Sequence, residues 1–180
     1  MRVADPVSSA PELLTERLLM RGHRLDDFED CAAMWGDERV TRFIGGKPST
    51  REQAWARLLR YVGHWSLLGF GYWVLRERAS GRFVGEVGFA DFKRDIDPPL
   101  GDDQEMGWVL DPRAFGKGFA GEATRAAQGW MDGAFRARRT VCMIDTENVA
   151  SLRVAEKLGY REFTRTRAEK PVILLERVFG

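Results

Sequence analysis

The sequence has few of the features that mark secreted, membrane or nucleic-acid-binding proteins. It holds only two cysteines, Cys31 and Cys142, each inside an apolar-periodic segment, which predicts buried free thiols rather than a disulfide or a zinc site. No apolar run approaches the ~18 residues of a membrane span, and residues 1–10 lack the apolar core of a signal peptide. Its 28 Lys and Arg against 27 Asp and Glu give a net charge of +1, so no overall field favours nucleic acid or an anionic membrane. We therefore expect a cytoplasmic protein without a nucleic-acid or membrane partner.

What the sequence does contain is typical of one globular domain. Of its 180 residues, 44% are hydrophobic and 31% are charged, and this length suits a single domain. The sequence shows no internal repeat, and strand and helix signals alternate without a linker-like break. We expect a flexible leader over residues 1–11 and a single domain over residues 12–180.

Periodicity and helix-end signals predict an α+β fold with a mixed, mostly antiparallel sheet of six or seven strands and about four helices. The predicted strands are 16–21, 72–77, 82–92, 105–110, 140–144, 161–167 and 172–178. The predicted helix starts are Asp26 or Asp27, a capping box of Ser49 with Glu52 or of Thr50 with Gln53, Gly118, and Asn148 as an N-cap. The last of these helices is expected to end before Gly159, a residue type that suits the left-handed C′ position.

A glycine-rich segment lies between a predicted strand and a predicted helix. It reads Gly116-Lys117-Gly118-Phe119-Ala120-Gly121, and free N–H groups at such a helix start form a site for phosphate. A simple glycine turn is the alternative. The string also matches GxGxxG, but residues 111–115 separate it from its strand, and the remaining chain is too short for a doubly wound dinucleotide-binding sheet. A Walker phosphate loop is excluded because no Gly-Lys-Ser/Thr ending is present.

Three motifs in order carry a resemblance to a known family. Asp111-Pro112 followed by Phe115 to Ala123 resembles the acetyl-CoA loop of the GNAT N-acyltransferases. The stretch Asn148 to Tyr160 is similar to the second signature of their ribosomal-protein N-terminal acetyltransferase branch, the Rim type, and Leu14 to Arg21 matches that branch's first strand. The resemblance covers residues 12–178. It implies a GNAT-like sheet in which strands 105–110 and 140–144 are parallel neighbours that splay apart.

The resemblance also implies that acetyl-CoA binds as a co-substrate in the wedge between those two strands, without a metal. The residues expected to contact it are the backbone of Trp108, Val109 and Leu110 at the pantetheine arm, Gly116, Lys117, Gly118, Phe119, Ala120 and Gly121 at the pyrophosphate, and Asn148 at the pantetheine or thioester. The implied reaction is N-acetyl transfer by direct attack of an amine on the thioester.

Direct attack needs a proton acceptor for the amine and a proton donor for the departing thiol. Glu105, on the strand that leads into the wedge, is the first candidate base, because burial in a sheet increases the basicity of a carboxylate. The equal alternative is that Glu105 is solvated and only balances a nearby arginine. Glu86 is the second candidate base. The tyrosine that many family members use as the acid is replaced here by Ala155, so Ser151 is the candidate donor, or else a first-turn cap.

The acceptor side is the least determined part of the sequence. Six aromatic residues fall in the region that shapes the acceptor pocket in this family, and helical spacing predicts that most are core: Trp35, Phe43, Trp55, Trp65, Phe70 and Trp73. His23, His64 and Tyr160 are expected to have structural roles, with solvation as the alternative for the two histidines. The acceptor is expected to be a primary amine, on a protein N-terminus or on a small molecule, and a homodimer is left open.

Two other functions remain open from the sequence. A non-catalytic acyl-CoA-binding sensor domain would keep the glycine-rich segment and lose the base. A nicotinamide-dinucleotide-binding oxidoreductase, the weaker alternative, would bind NAD and not CoA.

Overall fold

The computed structural model describes residues 9–135, 139–168 and 170–178. Its strands are Leu13–Leu14 (β1), Leu18–Arg21 (β2), Tyr72–Glu77 (β3), Phe83–Ala90 (β4), Gln104–Leu110 (β5), Arg139–Asp145 (β6), Arg161–Arg167 (β7) and Pro171–Val178 (β8). Its helices are Phe28–Trp35 (α1), Glu38–Thr41 (α2), Arg51–Leu68 (α3), Phe119–Ala134 (α4) and Val149–Lys157 (α5). The predicted α+β class is confirmed. Residues 1–8 of the predicted leader lie outside the described ranges.

The eight strands form one sheet in the order β1-β2-β3-β4-β5-β6-β8-β7. Neighbouring strands are antiparallel except β5 and β6, which are parallel. The predicted parallel pair is therefore confirmed. The expectation of six or seven strands and about four helices missed β1 and α2, which have two and four residues. Elements this short show no periodic pattern in a sequence.

Helices cover both faces of the sheet. On one face, Ala123 and Met131 of α4 pack with Val87 of β4 in the largest cluster of buried residues. On the other face, Trp35 of α1 packs near Val109 of β5, and α3 lies against α1. We call this second side the α1–α3 face. Because successive side chains of a strand point to opposite faces, every second residue of β4 and β5 points to the α1–α3 face.

The ends of α3 and α5 follow the predicted capping chemistry, whereas the side chain of Asp27, the N-cap of α1, makes no cap bond. Of the two predicted boxes, α3 uses Thr50 with Gln53: Thr50 Oγ1 accepts the Gln53 N–H at 3.2 Å, and Gln53 Oε1 accepts the Thr50 N–H at 2.9 Å. Asn148 caps α5 as predicted, since its Oδ1 accepts the Ser151 N–H at 3.1 Å. Gly159 follows α5 with φ of 86°, as expected at C′.

Several residues that the sequence predicted to be buried or to have a structural role are buried. Cys31 and Cys142 are buried and free, and burial raises the pKa of both thiols. His64 is buried. The Tyr160 hydroxyl is also buried and donates to Gln128 Oε1 at 2.8 Å. Among the described residues, no helix is both long and apolar enough to span a bilayer.

Candidate active site

Strands β5 and β6 pair only near their starts. Their register joins Gln104 to Thr140 and Glu105 to Val141, while β5 stays paired with β4 as far as Leu110. The two parallel strands separate after Glu105, and the edge of β5 that faces β6 then has no strand partner among the described residues. An unpaired strand edge offers a row of N–H and C=O groups to an extended ligand. This opening has the shape of the wedge that the resemblance implies.

The start of α4 forms the second half of the site. Gly118 is its N-cap, with φ of 79° and no side-chain cap, so the first-turn N–H groups have no acceptor within the helix. Arg17 holds the preceding loop, because it donates to the Lys117 carbonyl at 2.9 Å and forms an ion pair with Glu122 at 2.7 Å. That pairing offsets the negative charge of Glu122, so the helix start still favours an anion. A Cβ on Gly116 would meet no atom within 4 Å, which leaves room for a phosphate beside the loop.

The predicted site residues fall into two groups in the structure. Five line one cleft of about 730 Å³: Glu105, Trp108, Val109, Asn148 and Ser151. The others lie at the end of β5 or around the start of α4: Leu110, Gly116, Lys117, Gly118, Phe119, Ala120 and Gly121. The Phe119 side chain is buried in the core, so only its backbone is available to a ligand. The cleft and the helix start together fit an arm that ends in phosphates.

Glu105 lies in the cleft but is not free. Arg94, from the loop between β4 and β5, donates through Nε to Glu105 Oε2 at 2.5 Å and through Nη2 to Oε1 at 2.7 Å. The Glu105 side chain is only 8% exposed. The structure therefore contains the predicted arginine partner, but places the pair at a buried position rather than in solvent.

Glu86 lies deeper, beneath the α1–α3 face, and is 1% exposed. Its carboxylate accepts from Trp35 Nε1 at 2.8 Å and from Cys31 Sγ at 3.2 Å, and it lies 2.8 Å from His23 Nε2. Burial alone would raise the pKa of Glu86, but the hydrogen bonds from His23, Trp35 and Cys31 outweigh it and hold that pKa below its usual value. The Glu86 oxygens are thus occupied by side chains of the protein. His23 has a structural role, as predicted, because it binds Glu86.

Sequence reasoning missed two tyrosines that line the cleft. The Tyr61 and Tyr72 rings stack with their centroids 4.2 Å apart. Tyr72 of β3 is paired with Gly88 of β4, which is paired with Gly107 of β5. The Tyr72 side chain lies over Gly107, since a Cβ on Gly107 would be 1.9 Å from the Tyr72 hydroxyl. Burial raises the pKa of both tyrosines, so both keep their protons at neutral pH. The sequence signal was Gly107 itself, because a glycine inside a strand often marks a close approach.

Ser151 and Ala155 occupy different environments on α5. The Ser151 N–H is bound by Asn148, but the Ser151 hydroxyl makes no hydrogen bond to any described residue. Ser151 lines the cleft and is partly buried. Ala155 is fully buried in the core, so its position does not face the cleft. A hydroxyl donor on α5 is therefore available only from Ser151 among the described residues.

The six aromatic residues mostly have the predicted core positions. Trp65, Phe70 and Trp73 belong to the main buried cluster, and Trp55 packs edge-on against Phe28. The two that reach the cleft are Trp35 and Phe43. Sequence reasoning also missed three arginines in the cleft lining, Arg57, Arg60 and Arg94.

Comparisons with known proteins agree with this geometry. The family model described as an acetyltransferase (GNAT) domain matches residues 17–161. The uncharacterized protein YkkB of Bacillus subtilis is 28% identical over 182 residues, which covers 95% of this chain and 98% of that protein. A GNAT-family structure from Bordetella pertussis is 31% identical with a TM-score of 0.83, covering 93% of this chain and 99% of that one.

The ribosomal-protein branch is represented among the structural neighbours. The ribosomal-protein-S5-alanine acetyltransferase of Vibrio fischeri has a TM-score of 0.74 and covers 93% of this chain and 96% of its own. Its sequence is 20% identical to this one, a level at which the likeness concerns the fold. The branch assignment therefore rests on the motifs of the sequence.

Proposed function

The chain belongs to the GNAT acetyltransferase family, and on that premise we propose that it is an N-acetyltransferase that moves an acetyl group from acetyl-CoA to a primary amine in a ternary complex. One observation carries the proposal. The parallel strands β5 and β6 pair only at Gln104 and Glu105 and then open, while the uncapped start of α4 follows the end of β5. An extended arm with phosphates at one end fits that arrangement.

The binding roles follow from the backbone. The unpaired edge of β5 at Trp108, Val109 and Leu110 offers N–H and C=O groups to the amides of the pantetheine arm. The first-turn N–H groups of α4 and the glycine loop 116–121 bind the pyrophosphate, and the exposed Lys117 adds a point charge there. Asn148 lines the cleft beside the reacting end. When bound, acetyl-CoA supplies the activated acyl group as a thioester.

Glu105 takes the proton from the attacking amine in this proposal, directly or through a water. Arg94 uses one acceptor site on each carboxylate oxygen, and a carboxylate has about four such sites. The remaining lone pairs can accept a hydrogen bond from the amine or from a water molecule while the ion pair stays intact. Ser151 then donates from its unbound hydroxyl toward the departing sulfur.

A second candidate function has one observation in its favour. Because Arg94 binds both oxygens of Glu105, the carboxylate is also suited to a purely structural role, as in a non-catalytic acyl-CoA sensor. The dinucleotide-binding alternative has no such support: among the described strands only β5 and β6 are parallel, whereas a doubly wound sheet is mostly parallel.

One experiment separates these functions. The protein is mixed with acetyl-CoA and a panel of primary amines, and released thiol is followed with a chromogenic reagent, while calorimetry measures CoA and NAD binding. Amine-dependent thiol release supports the acetyltransferase. CoA binding without turnover on any amine supports the sensor, and NAD binding without CoA binding overturns both.

A further inference from the structure

Two arginines of α3 point positive charge into the cleft. Arg57 and Arg60 both line it, and three residues of helix place them about 4.5 Å apart along the axis. Arg51, at the start of α3, forms an ion pair with Glu29 of α1. Among the described residues, Arg57 and Arg60 form no ion pair. On α3, the arginine outside the cleft is neutralised and the two inside it are not.

Aromatic rings hold both guanidinium groups in place. The Arg57 guanidinium carbon lies 3.6 Å from the centroid of a Trp35 ring, and that of Arg60 lies 4.9 Å from the Phe92 centroid. Both rings line the same cleft. Stacking uses the flat face of a guanidinium and leaves the N–H groups at its edge for other partners. Among the described residues, the only hydrogen bond from either group is from Arg57 Nη1 to Ser49 Oγ at 3.3 Å.

None of the other charged residues that line the cleft forms an ion pair with Arg57 or Arg60 among the described residues. Arg94 and Glu105 neutralise each other. Lys170 donates to the Arg42 carbonyl at 2.8 Å, and Asp145 accepts the Glu147 N–H at 2.8 Å near the start of α5. Asp95 is exposed. Two preoriented guanidinium groups without a carboxylate partner have the donor geometry that binds carboxylate or phosphate oxygens in pairs.

We propose that the acetyl acceptor is a primary amine that carries an anionic group, a carboxylate or a phosphate, and that Arg57 and Arg60 bind this group while the amine is directed to Glu105. This inference rests on the proposed function. A polyamine is disfavoured, because it would bring further positive charge to two unpaired guanidinium groups.

The test uses amines that differ only in the anionic group. Glycine, β-alanine, 4-aminobutyrate and 6-aminohexanoate are each compared with their own amides, so that the distance from amine to carboxylate varies. Aminoethyl phosphate is compared with ethanolamine to separate phosphate from carboxylate, and spermidine is the polycation. We expect kcat/KM, measured by thiol release, to be at least about tenfold higher for one of the anionic amines than for its neutral match.

Variants of the arginines identify the site. Arg57→Gln and Arg60→Gln should each raise the KM of the preferred amine by roughly 10- to 100-fold, the effect of losing a charge-assisted hydrogen bond, and should leave the KM for acetyl-CoA unchanged. Arg57→Lys keeps the charge and should restore part of the loss. Arg51→Gln, on the same helix but outside the cleft, is the matched control and should have no effect.

Three results would overturn the inference while acetyl transfer stands: a preference for the amides or spermidine, equal KM in the arginine variants, or a raised KM for acetyl-CoA instead of for the amine. The last would assign the arginines to a CoA phosphate. If no amine turns over, calorimetry of the CoA-bound protein with the same acids decides. If the acids bind and Arg57→Gln abolishes that binding, the anion site is supported although the proposed function has failed. If the acids do not bind, both the anion site and the proposed function are overturned.

Discussion

At the scale of single residues, the role proposed for Glu105 has to be compatible with its ion pair with Arg94. Glu105→Gln keeps the shape of the side chain but removes its basic oxygen. We expect turnover to fall by ~10²–10⁴-fold, as for other general bases. CoA affinity should change little, because the proposed role of Glu105 involves the amine and not the phosphates. The loss should shrink at high pH, where more of the amine is already neutral. Thiol release and calorimetry measure the two quantities.

A second arginine–glutamate pair provides the control. Both carboxylate oxygens of Glu29 accept hydrogen bonds from the Arg51 guanidinium, through Nη1 and Nη2, but this pair is exposed. Glu29→Gln should leave turnover and CoA affinity unchanged. Full activity of Glu105→Gln would instead assign Glu105 to structure alone, together with Arg94, and would favour bulk water as the base, since the oxygens of Glu86 are occupied.

Ser151 can be tested separately because its hydroxyl caps nothing in the structure. The bond at the start of α5 runs from the Ser151 N–H to Asn148, and Ala keeps that N–H. Ser151→Ala should therefore leave the melting temperature within about 2 °C, since removal of a hydroxyl that makes no hydrogen bond should alter stability by about 0.5 kcal/mol or less. It should lower kcat by less than Glu105→Gln does, because a thiolate is a tolerable leaving group. A lower melting temperature with unchanged kcat would make Ser151 a structural residue.

At the scale of secondary-structure elements, the start of α4 is the part of the fold proposed to bind phosphate. Gly118 has φ of 79°. In this left-handed conformation, a residue with a Cβ is destabilised by about 1–2 kcal/mol. Gly118→Val should lower CoA affinity, measured by calorimetry, because the loop must change conformation and its N–H groups would no longer point toward the phosphates. Gly129→Ala, later in α4 where a Cβ meets no atom within 4 Å, is the control and should raise the melting temperature without changing affinity. Unaltered CoA affinity in Gly118→Val would remove the glycine loop from the site.

The close packing between the neighbouring strands β3, β4 and β5 gives a second prediction at this scale. A Cβ on Gly107 would overlap the Tyr72 hydroxyl at 1.9 Å and would lie 3.2 Å from the ring carbon that bears it. Gly107→Ala should destabilise the protein by about 1–3 kcal/mol, as overpacking does. Adding Tyr72→Phe removes the closest atom and should recover part of that loss, which urea unfolding of the single and double variants measures. Strictly additive effects would show that Tyr72 does not lie over Gly107.

At the scale of the whole molecule, the sequence predicted those features that depend on neighbours along the chain. Tyr72–Glu77 and Arg161–Arg167 were predicted with the bounds that the structure gives, because strand alternation and turn residues are local signals. The parallel pairing of β5 with β6 came from the resemblance instead, since periodicity does not say which strands are neighbours.

The cleft was predicted less completely for the same physical reason. Glu105 was identified as a carboxylate on the strand that leads into the wedge, and Ser151 by its position in a motif; the structure places both in the cleft. The partner of Glu105 is Arg94, 11 residues away across an irregular loop. The contact of Arg57 with Trp35 joins two helices. Such contacts depend on strand register and helix packing, which no local pattern contains.

One buried carboxylate also connects the start of α1 to two strands of the sheet. Asp27, at the start of α1, accepts from Arg21 of β2 at 2.7 and 2.8 Å and from Arg76 of β3 at 2.6 Å. Its side chain has no exposed surface. Burial raises the pKa of Asp27, but the hydrogen bonds from Arg21 and Arg76 and from the Arg24 N–H outweigh it and lower that pKa to about 2.

This pairing predicts a pH dependence of stability. Because the pKa of folded Asp27 lies below its ordinary value of 3.8, its contribution is fully present above pH ~4 and is lost as the pH falls toward about 2. The difference corresponds to about 2 kcal/mol at neutral pH. The free energy of unfolding of Asp27→Asn, from urea titrations, should lie below that of the unaltered protein at pH 7, and the gap should close between pH 4 and pH 2. Asp37→Asn, which removes a partly buried carboxylate paired with the exposed Arg39, is the control and should show a smaller gap throughout. A gap for Asp27→Asn that stays constant down to pH 2 would mean that packing around Asp27, and not its charge, joins α1 to the sheet.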